Sequence, residues 1–152
     1  MLVLSGTGQR FVGDSIEPFG PGDLVLLGSN LPHYWHSEPG DADGGDAAHS
    51  LVILFRRDFL GEHFFEAPEL VPISRLLDRS ARGVRFGAAE YGPVADAMKR
   101  LLKLTGPDRL WGVLDILTRL ARSETPHYLS SRGFVPQLDP HAGERIQRVY
   151  DH

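Results

Sequence analysis

The residues best placed to do chemistry close the stretch FGPGDLVLLGSNLPHYWHS, from Phe19 to Ser37. His33, Trp35 and His36 stand together at its end. An imidazole can ligate a metal, move a proton or hydrogen-bond a ligand. An indole beside it can stack on that ligand or close a pocket by apolar contact. On a strand, successive side chains face opposite ways, so His33 and Trp35 share a face and His36 turns away. A first-row metal site needs three or four ligands, and one inward histidine does not supply them. The chain is therefore read with no metal site, no cofactor and no catalytic residue. His33 reads either as a pocket-wall contact for a ligand or as a satisfied histidine of the fold. Trp35 reads either as the pocket's closure or as plain core packing.

Other constellations carry less. Glu62-His63 lacks a second constrained partner and reads as a solvated helix face. Gly6-Thr7-Gly8 lacks the third glycine and the following helix of a dinucleotide fingerprint, so it reads as a β-turn. Asp41, Asp43 and Asp46 lie in EPGDADGGDAAH, but Gly45 stands where a calcium loop wants its third acid. That segment reads as a solvated loop. Arg75, Arg79 and Arg82 share one side of a helix; with Asp78 and Glu69 nearby they read as a solvated face. The sequence contains no HExxH, nucleophile elbow or P-loop. Without cysteine there is no disulfide framework and no thiolate nucleophile.

The elements that must position His33 and Trp35 fall into two textures. Up to Phe55 the chain alternates short β-prone runs (Leu2–Leu4, Gln9–Val12, Leu24–Leu27, Pro32–His36, Leu51–Phe55) with glycine-rich turns. Such spacing favours an antiparallel barrel or sandwich over βαβ units. Helical periodicity follows. Asp58 is placed to cap FLGEHFFEA, Pro68–Arg82 forms a second helix, and Gly83–Phe86 returns as a strand. Pro93–Leu104 and Pro107–Arg122 make an antiparallel helical pair about a Gly-Pro turn. Residues 125–143 read as a linker, and Glu144–His152 opens an amphipathic helix on Ile146, Val149 and Tyr150. The division is a β domain over 1–86, a helical hairpin over 87–124, and a linker with the start of a following helix over 125–152.

With 152 residues, 41% hydrophobic and 24% charged, the chain has the size and composition of one globular domain. Its net charge of −4 argues against gripping nucleic acid alone, which needs a concentrated positive surface. Its apolar runs are too short to span a bilayer and its start is not a signal peptide. A cytoplasmic location is expected.

Four pieces in order resemble the effector-binding half of AraC-type transcription regulators. They are GTGQRFVGD, FGPGDLVLLGSNLPHYWHS, FRRDFLGEHFFEAPELVPISRLLDRSARGVRF and ERIQRVYDH. The second is similar to half of a cupin signature, with Gly22 and His33 at the right spacing. It departs where Gly28 stands for proline, Asn30 for glycine and Ser37 for asparagine. The other cupin signature, with two histidines and a glutamate, would lie upstream of Met1. The helix-turn-helix unit that follows in the family is not in the sequence.

The resemblance implies a cupin-like antiparallel β-barrel followed by an antiparallel helical hairpin. It implies a small polar effector such as a sugar, held near His33 and Trp35. It also implies a homodimer through the helices, with DNA reached only through a following domain. The second helix, apolar on two sides, supports a dimer contact at Leu110, Trp111, Leu114 and Leu117, with Leu120 broadening the stripe. The alternative is a metal-dependent cupin enzyme, an isomerase or dioxygenase. A third reading is a stand-alone β-barrel interaction domain with an empty pocket.

Overall fold

Short apolar runs cut by glycine turns favour strands over helices, and the first half of the chain pairs accordingly. The computed structural model describes residues 1–37 and 48–135. The strands are β1 (Leu2–Ser5), β2 (Gly8–Val12), β3 (Ser15–Phe19), β4 (Leu24–Leu26), β5 (His33–Ser37), β6 (His49–Leu51), β7 (Val84–Phe86) and β8 (His127–Tyr128). The helices are α1 (Val71–Arg79), α2 (Ala88–Leu101) and α3 (Gly106–Ala121), with 3₁₀ turns at Phe64–Glu66, Pro68–Leu70 and Ser80–Arg82.

Two antiparallel sheets result, one ordered β6-β1-β4-β7-β8 and the other β3-β2-β5. Among the described residues no ladder joins them. The strands therefore form two open sheets where a closed barrel was expected.

Side-chain alternation divides the interior. On β4, Leu24 and Leu26 face the helices while Val25 faces the other way. The larger core lies under the five-stranded sheet. There Leu2, Leu24, Val84 and Phe86 meet Ile73, Leu76 and Leu77 of α1, Val94 and Met98 of α2, and Ile116, Leu117 and Leu120 of α3. The smaller core holds Val12, Val25, Leu31 and Leu129, with Met1, Leu27, Trp35 and Phe134 against them. Since Val12 and Trp35 belong to the three-stranded sheet and Val25 to the five-stranded one, this core lies between the sheets. Helices α2 and α3 pack on each other, and α1 packs on α3. A Cβ at Gly112 would stand 2.6 Å from Leu101 Cδ1, so the missing side chain lets Leu101 lie close against α3.

Several elements differ from the sequence reading. Strand β3 was not expected, because Pro18 sits inside it. It is tolerated because β3 is the edge of its sheet, where a missing N–H need not break a ladder. The Gly13–Asp14 loop joins β2 to β3, with Gly13 at φ 58°, the sign a type II′ hairpin requires at that position.

Strand β6 ends at Leu51, and Val52–Phe55 leaves the sheet. The helix expected after Asp58 is replaced by turns, since Gly61 takes φ 105° and Asp58 pairs with Arg56 at 2.9 Å. Helix α2 begins at Ala88 and carries Pro93 inside it; the Glu90 carboxylate accepts the Gly87 N–H at 3.2 Å and helps fix this earlier start. The short strand β8 lies in what reads as linker. The loop at 38–47 and the helix expected at 144–152 fall outside the described residues.

Candidate ligand-binding site

Strand β5 lies on β2, with His33 opposite Val12 and Trp35 opposite Arg10. The structure brings His33 and Trp35 together on one face, their rings edge to face at 5.8 Å. They line a cavity of about 620 Å³. Its other walls are Val25–Asn30 at the end of β4, the Val52–Phe55 segment, and Leu77, Asp78, Ser80 and Ala81 at the end of α1. A 2.7 Å hydrogen bond from the Gly28 N–H to the Ser80 carbonyl ties two of these walls together.

Several of the wall's hydrogen-bonding groups are engaged, while the polar side chains of Ser29 and Asn30 are exposed. His33 Nδ1 lies 2.7 Å from the Leu31 carbonyl, which can only accept. Nδ1 therefore carries the hydrogen, and in the neutral ring Nε2 is left as an acceptor. Arg57 donates to Asp78 at 2.7 Å and to Ser74 at 3.0 Å, so its charge is matched. Ser80 donates to the Leu77 carbonyl at 2.6 Å. The α-amino group of Met1, also on the wall, donates to the Val25 carbonyl at 2.9 Å. Burial lowers its pKa to about 6, opposed by the nearby Asp23 carboxylate.

Trp35 differs in that its unmet group is buried. Its Nε1 is buried and has no hydrogen-bond partner. An indole nitrogen can only donate, and leaving such a donor without an acceptor costs about 1–3 kcal/mol. The apolar side of the wall is exposed in the opposite sense: Val52 is 54% and Leu54 90% exposed.

A charged cluster beside this core was missed from sequence. Arg10 is 1% exposed and is held by Glu17 at 2.7 Å and by Asp23. His127 Nε2 lies 3.3 Å from the other Glu17 oxygen. The signal was present: in Gly8-Gln9-Arg10-Phe11-Val12, Arg10 has the same parity as the buried Gly8 and Val12. Asp23 and His127 also line a second cavity, of about 660 Å³, with Arg85, Tyr91 and Thr125.

The remaining predicted residues are dispersed. Leu117 is 2% exposed and belongs to the large core, and Leu114 packs partly against that core. Neither is free to meet a second subunit as the sequence reading expected, because the apolar stripe of α3 is taken up by α1 and α2. Leu110 is half-buried, and Trp111 stands 61% exposed. Arg82 does not join a solvated face. It donates to the Ser130 carbonyl at 2.9 Å and lies 4.4 Å over the Tyr128 ring. His63 meets Glu66 at 3.1 Å on the surface.

Among the described residues no three His, Asp or Glu side chains gather closely enough to hold a metal ion. No helix among them is long and apolar enough to cross a membrane. Comparison with family models, with curated proteins and with solved structures returns no match in any of the three.

Proposed function

We propose that this chain is a ligand-sensing and dimerisation module, the effector-binding half of an AraC-type transcription regulator. The observation that carries the sensing role is the cavity of about 620 Å³ lined by His33 and Trp35. A bound small molecule covers the exposed Val52 and Leu54 on its wall. Cavities of this size, mainly apolar with a few polar groups, suit small-molecule binding.

The route from cavity to dimer runs through α1. Leu77, Asp78 and Ser80 touch the cavity, α1 packs on α3, and α3 carries the exposed Trp111. Leu102, 68% exposed at the end of α2, adds to the same pair of helices. A ligand that shifts the end of α1 biases how α3 meets its copy. In this reading DNA is contacted only by a helix-turn-helix unit attached to the module, whose own net charge of −4 does not favour phosphate.

The test is thermal-shift screening against a broad metabolite panel, followed by sedimentation with and without any hit. Binding to the folded state must raise the melting temperature. The expected result is a saturable rise with one chemical class, and a change in self-association that Trp111→Ala weakens. A chain that responds to no compound and stays monomeric throughout defeats the proposal. Stoichiometric iron, manganese or zinc that is lost in His33→Ala would support the cupin-enzyme reading in its place.

A further inference from the structure

The second cavity, of about 660 Å³, shares no wall residue with the one at His33 and Trp35. Strand geometry sets which charged side chains it receives. Val84 and Phe86 of β7 point into the core under the helices, so Arg85 between them turns to the opposite side. There it stands opposite Val25 on β4 and His127 on β8. Val25 belongs to the core between the sheets, and His127 reaches Glu17 on the other sheet. Arg85 therefore faces the space between the sheets.

The cations around it have partners. Arg10 is paired with Glu17 at 2.7 Å and with Asp23. His127 lies 3.3 Å from the second Glu17 oxygen. Arg82 is engaged by the Ser130 carbonyl and the Tyr128 ring. Arg85, although partly buried, makes no ion pair, hydrogen bond or ring contact among the described residues. A guanidinium is always charged and carries five N–H donors. Partly exposed and on the wall, Arg85 is open to whatever the cavity holds.

The other polar side chains of this wall are Asp23, Tyr91, Thr125 and His127. Asp23 is 7% exposed and committed to Arg10, and its carboxylate limits how much negative charge the cavity accepts. The Tyr91 and Thr125 hydroxyls make no hydrogen bond among the described residues. Helix α2 opens on the same wall at Gly87 and Ala88, but the Glu90 carboxylate already accepts the Gly87 N–H at 3.2 Å. The cation of the site is thus Arg85. Pro18 and Pro21, both exposed, and the Tyr91 ring beside the Gly22 turn supply apolar surface.

We infer that this cavity binds a small cyclic monocarboxylate, its two oxygens on the Arg85 guanidinium and its ring against Tyr91, Pro18 and Pro21. The guanidinium fork matches a carboxylate through two parallel N–H···O bonds. One unpaired cation accommodates one negative charge, and a second would meet Asp23. This site stands apart from the sensing role proposed above and does not depend on it.

The probes are benzoate, benzamide and phthalate, titrated calorimetrically into the full chain at neutral pH and low salt. Benzoate is expected to bind saturably and about tenfold or more tighter than its uncharged isostere benzamide, as a charge-assisted hydrogen bond implies. Phthalate, with its second carboxylate, should bind more weakly than benzoate. Arg85→Gln should weaken benzoate by about tenfold or more while leaving the urea midpoint nearly unchanged, because no protein partner is lost. Arg85→Lys keeps the charge without the fork and should fall between the two; it carries the test if the glutamine variant does not fold. Lys99→Gln removes an equal charge from the last turn of α2 and should leave benzoate binding as it was.

Equal binding of benzoate and benzamide, tighter binding of phthalate, or benzoate affinity untouched by the Arg85 substitutions overturns the inference. So does the absence of benzoate binding at millimolar concentration. Since the two cavities share no wall residue, each of these outcomes leaves the His33–Trp35 reading standing.

Discussion

The two cores are fed by neighbouring residues of one strand, yet they are built in opposite ways. Leu24 and Leu26 point into the core beneath the helices, where Leu2, Val84, Val94 and Leu117 are almost wholly buried among apolar neighbours. Val25 points into the core between the sheets. Among the described residues only Val12, Leu31 and Leu129 are buried with it, Arg10 is buried beside it and paired with two carboxylates, and a cavity of about 620 Å³ opens on Trp35. The first core is hydrocarbon throughout, with a cavity of only about 30 Å³ within it. The second is held partly by ion pairs and leaves a donor unmet. Buried polar groups and unfilled space both cost stability; the buried ion pairs lie on the Val25 side, while the cavity also reaches Leu26, Ile53, Phe55 and Leu77 of the first core.

That contrast can be broken first at Arg10. Removing one member of a buried ion pair leaves the other charge uncompensated, at a cost of about 3–5 kcal/mol. Arg10→Met should therefore lower unfolding stability by that amount in urea titration, with Asp23→Asn in the same chain recovering part of it. A loss below about 1 kcal/mol would mean that water reaches the cluster, and the polar character assigned to this core would be lost.

Leu117→Ala tests the other side. A fully packed leucine costs about 2–5 kcal/mol when truncated, and the same denaturation measurement should find a loss in that range. Trp111→Ala, one helix face away and exposed, should change stability by no more than about 0.5 kcal/mol. Equal losses at the two sites would deny that α3 has one committed face and one open one.

The Met1 amine gives a pH test on the cavity side. Its pKa falls from 8.0 in the unfolded chain to about 6 in the fold. Between these values the unfolded state binds more protons, so stability rises with pH across the window. The full benefit is present above the unfolded value and is lost as pH drops below the folded one. The change is on the order of 2 kcal/mol. Acetylating Met1 should remove it. A pH dependence identical in the two forms would contradict the burial of the amine.

A modest effect is expected at Trp35. Trp35→Phe discards some packing but also discards an unsatisfied donor, and the two nearly cancel. Stability should stay within about 1 kcal/mol of the parent. A loss of several kcal/mol would reveal an acceptor already bonded to Nε1 and would erase the distinction between the two cores.

Sequence alone went furthest where local physics is sufficient. Alternation placed His33 and Trp35 on one face and His36 on the other, because a strand's side chains reverse at every residue. Glycine turns located β1, β2, β4, β5 and β7, and the 3.6-residue period located α3 nearly end to end. The same period misassigned Leu114 and Leu117. It reports that a helix has an apolar face, and which neighbour covers that face is a tertiary matter.

Tertiary structure decided the rest. Pro18 could join a strand only because β3 is an edge, and Val52–Phe55 could leave one because it borders a cavity instead of a partner strand. Arg10 found Glu17 through the β2–β3 register and Asp23 across the sheets. The missing acceptor at Trp35 has no sequence signature at all, since it depends on every group that failed to come near. Residue types and spacing thus fixed which side chains face inward, through backbone geometry that acts over a few residues. Which of them meet a partner and which meet empty space depended on contacts between segments far apart in the chain, and those exist only once the sheets and helices have packed.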